Sequence, residues 1–277
     1  MQWGGSVSGR AKSEKGLREL FDHVRTAKIQ QFYNEYYTRA QKSQAHSEFC
    51  RLAYGHDLCQ HGMLDMNQLD MLIEVAKLRQ DSVVLELGCG AGFIAEYIAD
   101  RTRCHVVGVD ISSAAIEQAR ARTKGRNKEL TFETRDIEKL DYPERHFDAA
   151  ISIDTLYFVD GIDKVIGEIA RILKPAGAMY LFYHVHPDVG RCPDAASRSP
   201  LGMALDGLNL AYRAIDLTRE NREHWESRRE VLLQLKEKFE EEDNMFLYDT
   251  RMDEYSQSFG EYHRFLYVVD GREDGAP

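Results

Sequence analysis

The sequence lacks several features that would place a chain in a broad class at once. No apolar run reaches the 18 residues of a membrane-spanning helix, and the opening "MQWGGSVSGRAKSEKG" has no apolar centre of a signal peptide. The five cysteines are an odd number without paired spacing, which favours reduced thiols. We therefore expect a cytoplasmic protein that is not a membrane protein.

An excess of positive charge is also missing. Lys and Arg number 36 against 46 Asp and Glu, which gives a formal net charge of −10. Binding of nucleic acid requires a basic surface to neutralise phosphates, so the composition argues against a nucleic-acid partner. His and Cys residues cluster between residues 46 and 61, but without the spacing of a tetrahedral metal site, so we predict no metal.

A glycine-rich stretch, "VVLELGCGAGF" at residues 83–93, is the first positive signal. Its apolar start is typical of a strand buried on both faces of a parallel sheet, and helical spacing follows the glycines. Glycines at a strand-to-helix turn allow a ligand to approach the backbone and the free N–H groups of the helix. A dinucleotide site would have its third glycine at position 93, which is Phe93 here.

Further motifs follow in a fixed order. A second apolar strand ends at Asp110, "LTFETRDIEKL" ends a third strand at Asp136, and "FDAAISIDTLYFV" predicts a fourth. The helix "GIDKVIGEIARIL" then leads to the strand "AMYLFYHV". The succession E-x-G-x-G-x-G, D-I-S, R-D-I, F-D-x-x-x-S-x-D and L-K-P-x-G resembles the class I S-adenosylmethionine-dependent methyltransferases of small-molecule type, over residues 80–184.

The resemblance implies an α/β fold: a Rossmann-like, seven-stranded, mostly parallel sheet with helices on both faces, an N-terminal helical lid and a helical cap inserted before the last strand. The expected segments are a flexible N-terminus, the lid, the cofactor-binding core, the substrate cap, and a return strand with a C-terminal tail, at residues 1–16, 17–78, 79–184, 185–250 and 251–277.

Within these segments the apolar periodicity predicts individual helices. We expect helical structure from residue 17 to about 51 and a further helix at about 66–78. "SPLGMALDGLNLAYRAID" is also expected to be helical, and "TRENREHWESRREVLLQLKEKFEEED" to form one long helix. The inward stripe of that long helix comprises Trp225, Leu232, Leu235 and Phe239.

The cofactor implied by the resemblance is S-adenosylmethionine. Glu86 and the glycine turn would hold its methionine part, Asp110 the ribose hydroxyls, and Asp136 with Ile137 the adenine edge. The full set of expected cofactor-binding residues is Tyr33, Gln60, Glu86, Gly88, Cys89, Gly90, Asp110, Ile111, Asp136, Ile137 and Ile153.

Fewer residues can be assigned to substrate binding and catalysis. Ligands bind at the carboxyl edge of open α/β sheets, where Asp154 and Tyr157 follow the fourth strand, and these two with Tyr54 are the expected substrate-binding residues. His184 ends the fifth strand and is our candidate general base. Tyr33, Tyr54, Gln60 and Gly62 are expected near the ligand, although core packing would explain the aromatic residues equally well.

The leading functional hypothesis is methyl transfer to O, N or C of a small, partly hydrophobic metabolite by a monomer or homodimer. One alternative is a non-methylating member of the fold that keeps the cofactor as a structural element. Others are an N-methyltransferase of a small amine or amino acid, and a dinucleotide-dependent dehydrogenase or epimerase. Phe93 and Asp136 count against the dinucleotide enzyme.

Overall fold

The computed structural model describes residues 25–256 and 261–271. The predictions for residues 1–24, including the flexible N-terminus and the start of the lid, lie outside the described residues, as does the end of the C-terminal tail. Among the residues that the structure describes, no helix combines the length and the apolarity needed to cross a bilayer.

Three helices precede the sheet in the part of the chain that the structure describes. Helix α1 is helical over residues 25–40, and α2 (Gln44–Tyr54) and α3 (Met66–Ala76) follow. The described part of the segment predicted to be helical up to about residue 51 is helical, and it consists of two helices with a break after residue 40. Ser43 causes the break, since its extended backbone and its Oγ, which accepts from the N–H of His46, cap a new helix.

The core alternates strands and helices along the chain. Its elements are β1 (Val83–Leu87), α4 (Phe93–Thr102), β2 (His105–Asp110), α5 (Ser113–Arg122), β3 (Leu130–Thr134), β4 (Phe147–Ile153), α6 (Ile162–Ile172) and β5 (Leu173–Val185). A short 3-10 helix, Leu156–Phe158, follows β4.

The C-terminal third is an insertion followed by the last strand. It contains α7 (Pro187–Gly190), α8 (Ala195–Arg198), α9 (Pro200–Gly207), β6 (Tyr212–Asp216), α10 (Thr218–Gln234), α11 (Lys236–Glu241), α12 (Met245–Ser256) and β7 (His263–Val269).

The seven strands form one sheet in the order β3-β2-β1-β4-β5-β7-β6. The first five are parallel, and β7 runs antiparallel to both of its neighbours. From β1 the chain adds β2 and β3 on one side of the sheet, and it then adds β4 and β5 on the other side of β1. Ligands bind in such sheets at this switch point between β1 and β4. The predicted fold class, a seven-stranded mostly parallel sheet, is confirmed.

Helices cover both faces of this sheet. One apolar layer includes Ile166 and Ile169 of α6, and the other includes Leu69 of α3, Ile98 of α4 and Ile116 of α5. Helix α3 thus belongs to the core layers, although we had placed it in the lid segment. This packing fixes the carboxyl ends of the strands at one open edge.

A third apolar cluster joins α1 and α2 to the cap helices. Tyr36 of α1 and Phe49 of α2 are fully buried in it together with Leu232 of α10, Phe239 of α11 and Leu247 of α12. The lid and cap segments, which the sequence presented as two separate flanks, therefore pack on one another beside the glycine turn.

Two predictions for the cap need correction. Tyr212–Asp216, expected to be helical, is the edge strand β6, because pairing with β7 satisfies its backbone. The long charged helix is two helices that divide at Leu235. Its predicted inward stripe is nevertheless buried, comprising Trp225, Leu232, Leu235 and Phe239.

Candidate active site

The glycine turn after β1 adopts a conformation that only glycine tolerates well. Gly88 and Gly90 have φ of 72° and 52°, in the left-handed region. A Cβ at Gly88 would collide with Thr155, and one at Gly90 with the hydroxyl of Tyr37. The turn is therefore pressed between the loop after β4 and helix α1, with its backbone close to the open edge of the sheet.

Asp110, at the end of β2, holds the turn in place. One carboxylate oxygen accepts from the N–H of Gly90 at 2.8 Å, and the other from the N–H of Ser112 at 2.8 Å. The side chain also lines the cleft above the turn. Because each carboxylate oxygen can accept more than one hydrogen bond, Asp110 keeps free acceptor positions for a ligand.

Glu86 is buried beneath the same turn and is not fully satisfied. Its Oε2 has no hydrogen-bond partner, and the residue is 2% exposed. Burial raises the pKa of this carboxyl to about 8, with a smaller contribution from the charge of Asp110. An unpaired buried carboxylate beside a cavity is suited to receive a cationic ligand group.

Two adjoining cavities meet at this edge. The larger, which we call the cleft, has about 730 Å³ of unfilled space that is partly open to solvent. The smaller, which we call the inner cavity, has about 410 Å³. Both are lined by Tyr37, His61, Gly62, Gly88 and Ile153.

Most of the residues expected to bind the cofactor line these cavities. Those in the cleft are Tyr33, Gly88, Asp110, Ile111, Asp136, Ile137 and Ile153, with Asp154 from the substrate set. Those in the inner cavity are Gln60, Glu86, Gly88, Cys89 and Ile153. Gly90 lines neither cavity and instead carries the N–H that Asp110 accepts.

Helix α1 is attached across the cleft by polar contacts. The Nε2 of Gln30 donates to the carbonyl of Ile111 at 3.0 Å, and Asn34 accepts from the hydroxyl of Ser112 at 2.8 Å. At the other end, Arg25 donates to Glu138 at 2.9 Å and to the carbonyl of Phe158 at 2.9 Å. These contacts give α1 the geometry of a lid, and sequence patterns did not indicate them.

Asp154 is the centre of a buried network at the floor of the cleft. Arg264 of β7 contacts both of its carboxylate oxygens, at 2.7 and 3.1 Å, and Met63 N–H donates to one of them at 2.8 Å. Burial alone would raise the pKa of Asp154, but the charge of Arg264 holds it well below its usual range. Asp154 is therefore a fixed anion whose charge is already balanced.

His184 is buried in this network, and Tyr157, which is 38% exposed, lies at its edge; neither residue lines the two cavities. The hydroxyl of Tyr157 accepts from the N–H of His184 at 2.7 Å, and Nδ1 of His184 lies 3.1 Å from Arg264. Burial and the charge of Arg264 lower the pKa of His184. The structure thus places our candidate base behind Asp154, with its Nδ1 3.5 Å from that carboxylate.

Tyr54, another expected substrate-binding residue, lies away from the described cavities. It is 2% exposed, its hydroxyl points at the sulfur of Met63 at 3.8 Å, and the guanidinium of Arg228 lies over its ring at 4.9 Å. Tyr54 is therefore a core-packing residue, the other explanation that the sequence left open for the aromatic residues.

His61 and the cations Arg251 and Arg264 are site residues that the sequence analysis missed. His61 lines both cavities, and Arg251 is fully buried and donates to the carbonyl of Gln60 at 2.5 Å. One signal existed for Arg264, because a cation inside the apolar strand "HRFLYVVD" requires a buried partner. Over the described part of the chain, no group of three or more His, Cys, Asp or Glu is arranged to hold a metal ion.

Comparisons with known proteins identify a methyltransferase domain in the part of the chain that contains the glycine turn. Residues 84–177 match the family model described as a methyltransferase domain. Sterol 24-C-methyltransferase ERG6B of Gibberella zeae is 29% identical over 143 residues, 51% of this chain and 37% of that protein. The chain spans about a third of the length of the sterol methyltransferases that it matches.

Solved structures share the fold at low identity. The [4+2]-cyclase SpnF has a TM-score of 0.63 at 19% identity and covers 74% of this chain and 81% of its own. Phosphoethanolamine N-methyltransferase 2 of Haemonchus contortus, solved with phosphomonomethylethanolamine and S-adenosylhomocysteine, has a TM-score of 0.66 at 18% identity, covering 87% and 60%.

Proposed function

We propose that this chain is a class I S-adenosylmethionine-dependent methyltransferase that transfers a methyl group from S-adenosylmethionine to a small, partly hydrophobic metabolite. The observation that carries this proposal is the unpaired carboxylate of Glu86 beneath the glycine turn, beside the cleft that Asp110 lines. Its chemistry fits an amino acid moiety with an ammonium group.

The residues present suit each part of the cofactor. Glu86 would accept from its ammonium group, and Asp110 from the two ribose hydroxyls. Asp136 and Ile137 lie farther along the cleft, where they would contact the adenine edge, and Ile111 would pack on its face. When bound, S-adenosylmethionine supplies a methyl group that its sulfonium makes electrophilic.

The protein then has to position the acceptor and exclude water. In-line displacement gains much of its rate from alignment of the reacting groups, so no covalent intermediate with the protein is required. Helix α1, held across the cleft through Gln30 and Asn34, shields the reacting groups. Tyr33, Tyr37 and Phe158 give the cavity walls aromatic surface, which favours an acceptor with apolar bulk.

The net charge of −10 supports a small-molecule acceptor rather than a nucleic acid. We expect a monomer or a homodimer, which light scattering would distinguish. The proposal covers methyl transfer to an oxygen, nitrogen or carbon atom of the acceptor.

A labelled-methyl screen tests the proposal. The purified chain is incubated with S-adenosylmethionine labelled in its methyl group and fractionated metabolite mixtures, and products are identified by mass spectrometry. Calorimetry in parallel measures S-adenosylhomocysteine, which we expect to bind at about micromolar Kd, near −8 kcal/mol. Variants of Glu86 and Asp110 are compared with Asp100→Ala, which changes an exposed acidic residue of α4. This control should leave the binding of S-adenosylhomocysteine unchanged.

The outcomes separate the alternatives. Labelled product with S-adenosylhomocysteine binding supports the proposal. Binding without transfer to any fraction would indicate a non-methylating member of the fold, and tighter binding of NAD or NADP would overturn the cofactor assignment.

A further inference from the structure

His61 occupies the junction of the cleft and the inner cavity. It lies on the loop between α2 and α3, and its ring meets those of Tyr36 and Tyr33 edge-on at 4.8 and 5.4 Å. These contacts fix the plane of the ring. A titratable side chain is thus held rigidly where the two expected ligand sites meet, and the proposed function so far gives it no role.

One ring nitrogen of His61 is directed to a carboxylate. Its Nε2 lies 3.5 Å from Oε1 of Glu254 and is buried without any other partner. The second oxygen of Glu254 is held by Arg251 at 3.3 Å. If the Nε2 proton faces Glu254, the neutral ring carries its lone pair on Nδ1, and a base oriented by a carboxylate is a recurring catalytic arrangement.

We infer that His61 accepts the proton of a hydroxyl acceptor on Nδ1 and passes its Nε2 proton to Glu254. This inference rests on the proposed function and specifies its acceptor. As the acceptor oxygen bonds to the methyl carbon, the carbon–sulfur bond breaks and its electron pair stays on sulfur. The hydroxyl proton moves to Nδ1 and the Nε2 proton to Oε1, so His61 ends neutral in its other tautomer.

The charges around the pair favour this relay. Burial and then the charge of Arg251 hold the pKa of His61 well below its usual range, with His46 acting in the same direction and Asp154 opposing. An imidazolium would therefore not accumulate, and the proton needs a second acceptor. Glu254 supplies it, because burial raises its pKa to about 7 while Arg251 partly offsets that rise and Asp154 adds to it.

The same charges select the acceptor. Arg251 is fully buried against the backbone of His61, to whose carbonyl it donates. Its charge is already paired with that of Glu254, so this carboxylate is not left over to balance an ammonium acceptor. A hydroxyl arrives neutral and gives up one proton, which matches one carboxylate acceptor.

The first test reads the tautomer directly and does not depend on activity. Nitrogen-15 NMR of the full chain, labelled at histidine and saturated with S-adenosylhomocysteine, follows His61 between about pH 6 and pH 8, around the ordinary pKa of histidine. We expect a neutral Nε2–H ring throughout, with a shift near pH 7 that disappears in Glu254→Gln. An imidazolium in this range, or an Nδ1–H tautomer, would overturn the relay.

The second test measures methyl transfer to the hydroxyl acceptor recovered in the labelled-methyl screen. His61→Gln keeps a donor towards Glu254 but has no basic nitrogen, and should lower kcat by about 100-fold or more while the Kd of S-adenosylhomocysteine is unchanged. His105→Gln changes a half-buried histidine at the start of β2, which contacts Thr131 and lines neither cavity, and is the matched control. A screen that returns only carbon acceptors refutes the relay and leaves the proposed function intact, whereas a chain that binds no S-adenosylhomocysteine refutes the proposed function itself.

Discussion

Cofactor binding should release a proton from Glu86, and this prediction can be worked out from its surroundings. In the free protein burial raises the pKa of Glu86 to about 8, so near neutral pH the carboxyl is mostly protonated. An ammonium group beside its unpaired Oε2 would favour the ionised form. Binding therefore competes with protonation, and affinity should fall as the pH falls.

The size of the effect follows from linkage. If Glu86 stays ionised in the complex, the affinity for S-adenosylhomocysteine should drop about 25-fold, or about 2 kcal/mol, between about pH 8.5 and about pH 6.5. Calorimetry in buffers of different ionisation enthalpy should report close to one proton released near neutral pH. Glu86→Gln resembles the protonated side chain, so its affinity should match the wild type at the lower pH and lose the slope.

The pH dependence of the stability of the free protein independently checks the direction of the pKa shift of Glu86. A folded-state pKa raised above the unfolded value adds stability that is complete below the unfolded pKa and is lost as the pH rises through the folded pKa. For Glu86 this window runs from its ordinary value of 4.5 to about 8. Wild type should lose stability relative to Glu86→Gln across that window, and affinity that is independent of pH in both proteins would refute the reasoning.

Three further predictions concern the cleft and its floor. Asp110→Ala removes a charged acceptor for two hydroxyls, so by calorimetry S-adenosylhomocysteine should bind at least tenfold more weakly, at about 1.5–3 kcal/mol per charged hydrogen bond; unchanged affinity would place the ribose elsewhere. Asn34→Ala removes a contact of α1 with Ser112, so amide hydrogen exchange in α1 should accelerate while the central strands are unaffected. Arg264→Met leaves Asp154 as a buried, uncompensated charge and should cost about 3–5 kcal/mol in urea denaturation, part of which Asp154→Asn should restore.

Sequence reasoning predicted that the expected cofactor-binding residues share one edge of the sheet, because these residues follow strand ends. Glu86, Asp110 and Asp136 each come at or just after the carboxyl end of a parallel strand. Parallel pairing brings these ends to one edge whatever the loops do, so local sequence determines where the side chains meet. That regularity explains why these three residues share two adjoining cavities.

The residues that we propose for the acceptor could not be predicted in the same way. Almost the whole core lies between His61 and Glu254 in the sequence. They meet because α12 packs beside the loop before α3, and this tertiary contact produces no periodic pattern in the sequence. Edge strand β6 was missed for a related reason, since Tyr212–Asp216 is a strand because β7 offers it backbone partners.

Asp154 shows how the two halves of the site depend on each other. It directly follows β4, the strand beside the glycine turn, and has φ of 54°, a strained value for a residue with a side chain. Its carboxylate accepts from Met63 of the loop before α3 and from Arg264 of the last strand. The same loop carries His61, so the position of His61 depends on a side chain that directly follows β4 and on a cation from the last strand. Motifs in strands one to five therefore predict where a cofactor fits, whereas the group that we propose to face the acceptor depends on contacts made by Arg264 of β7.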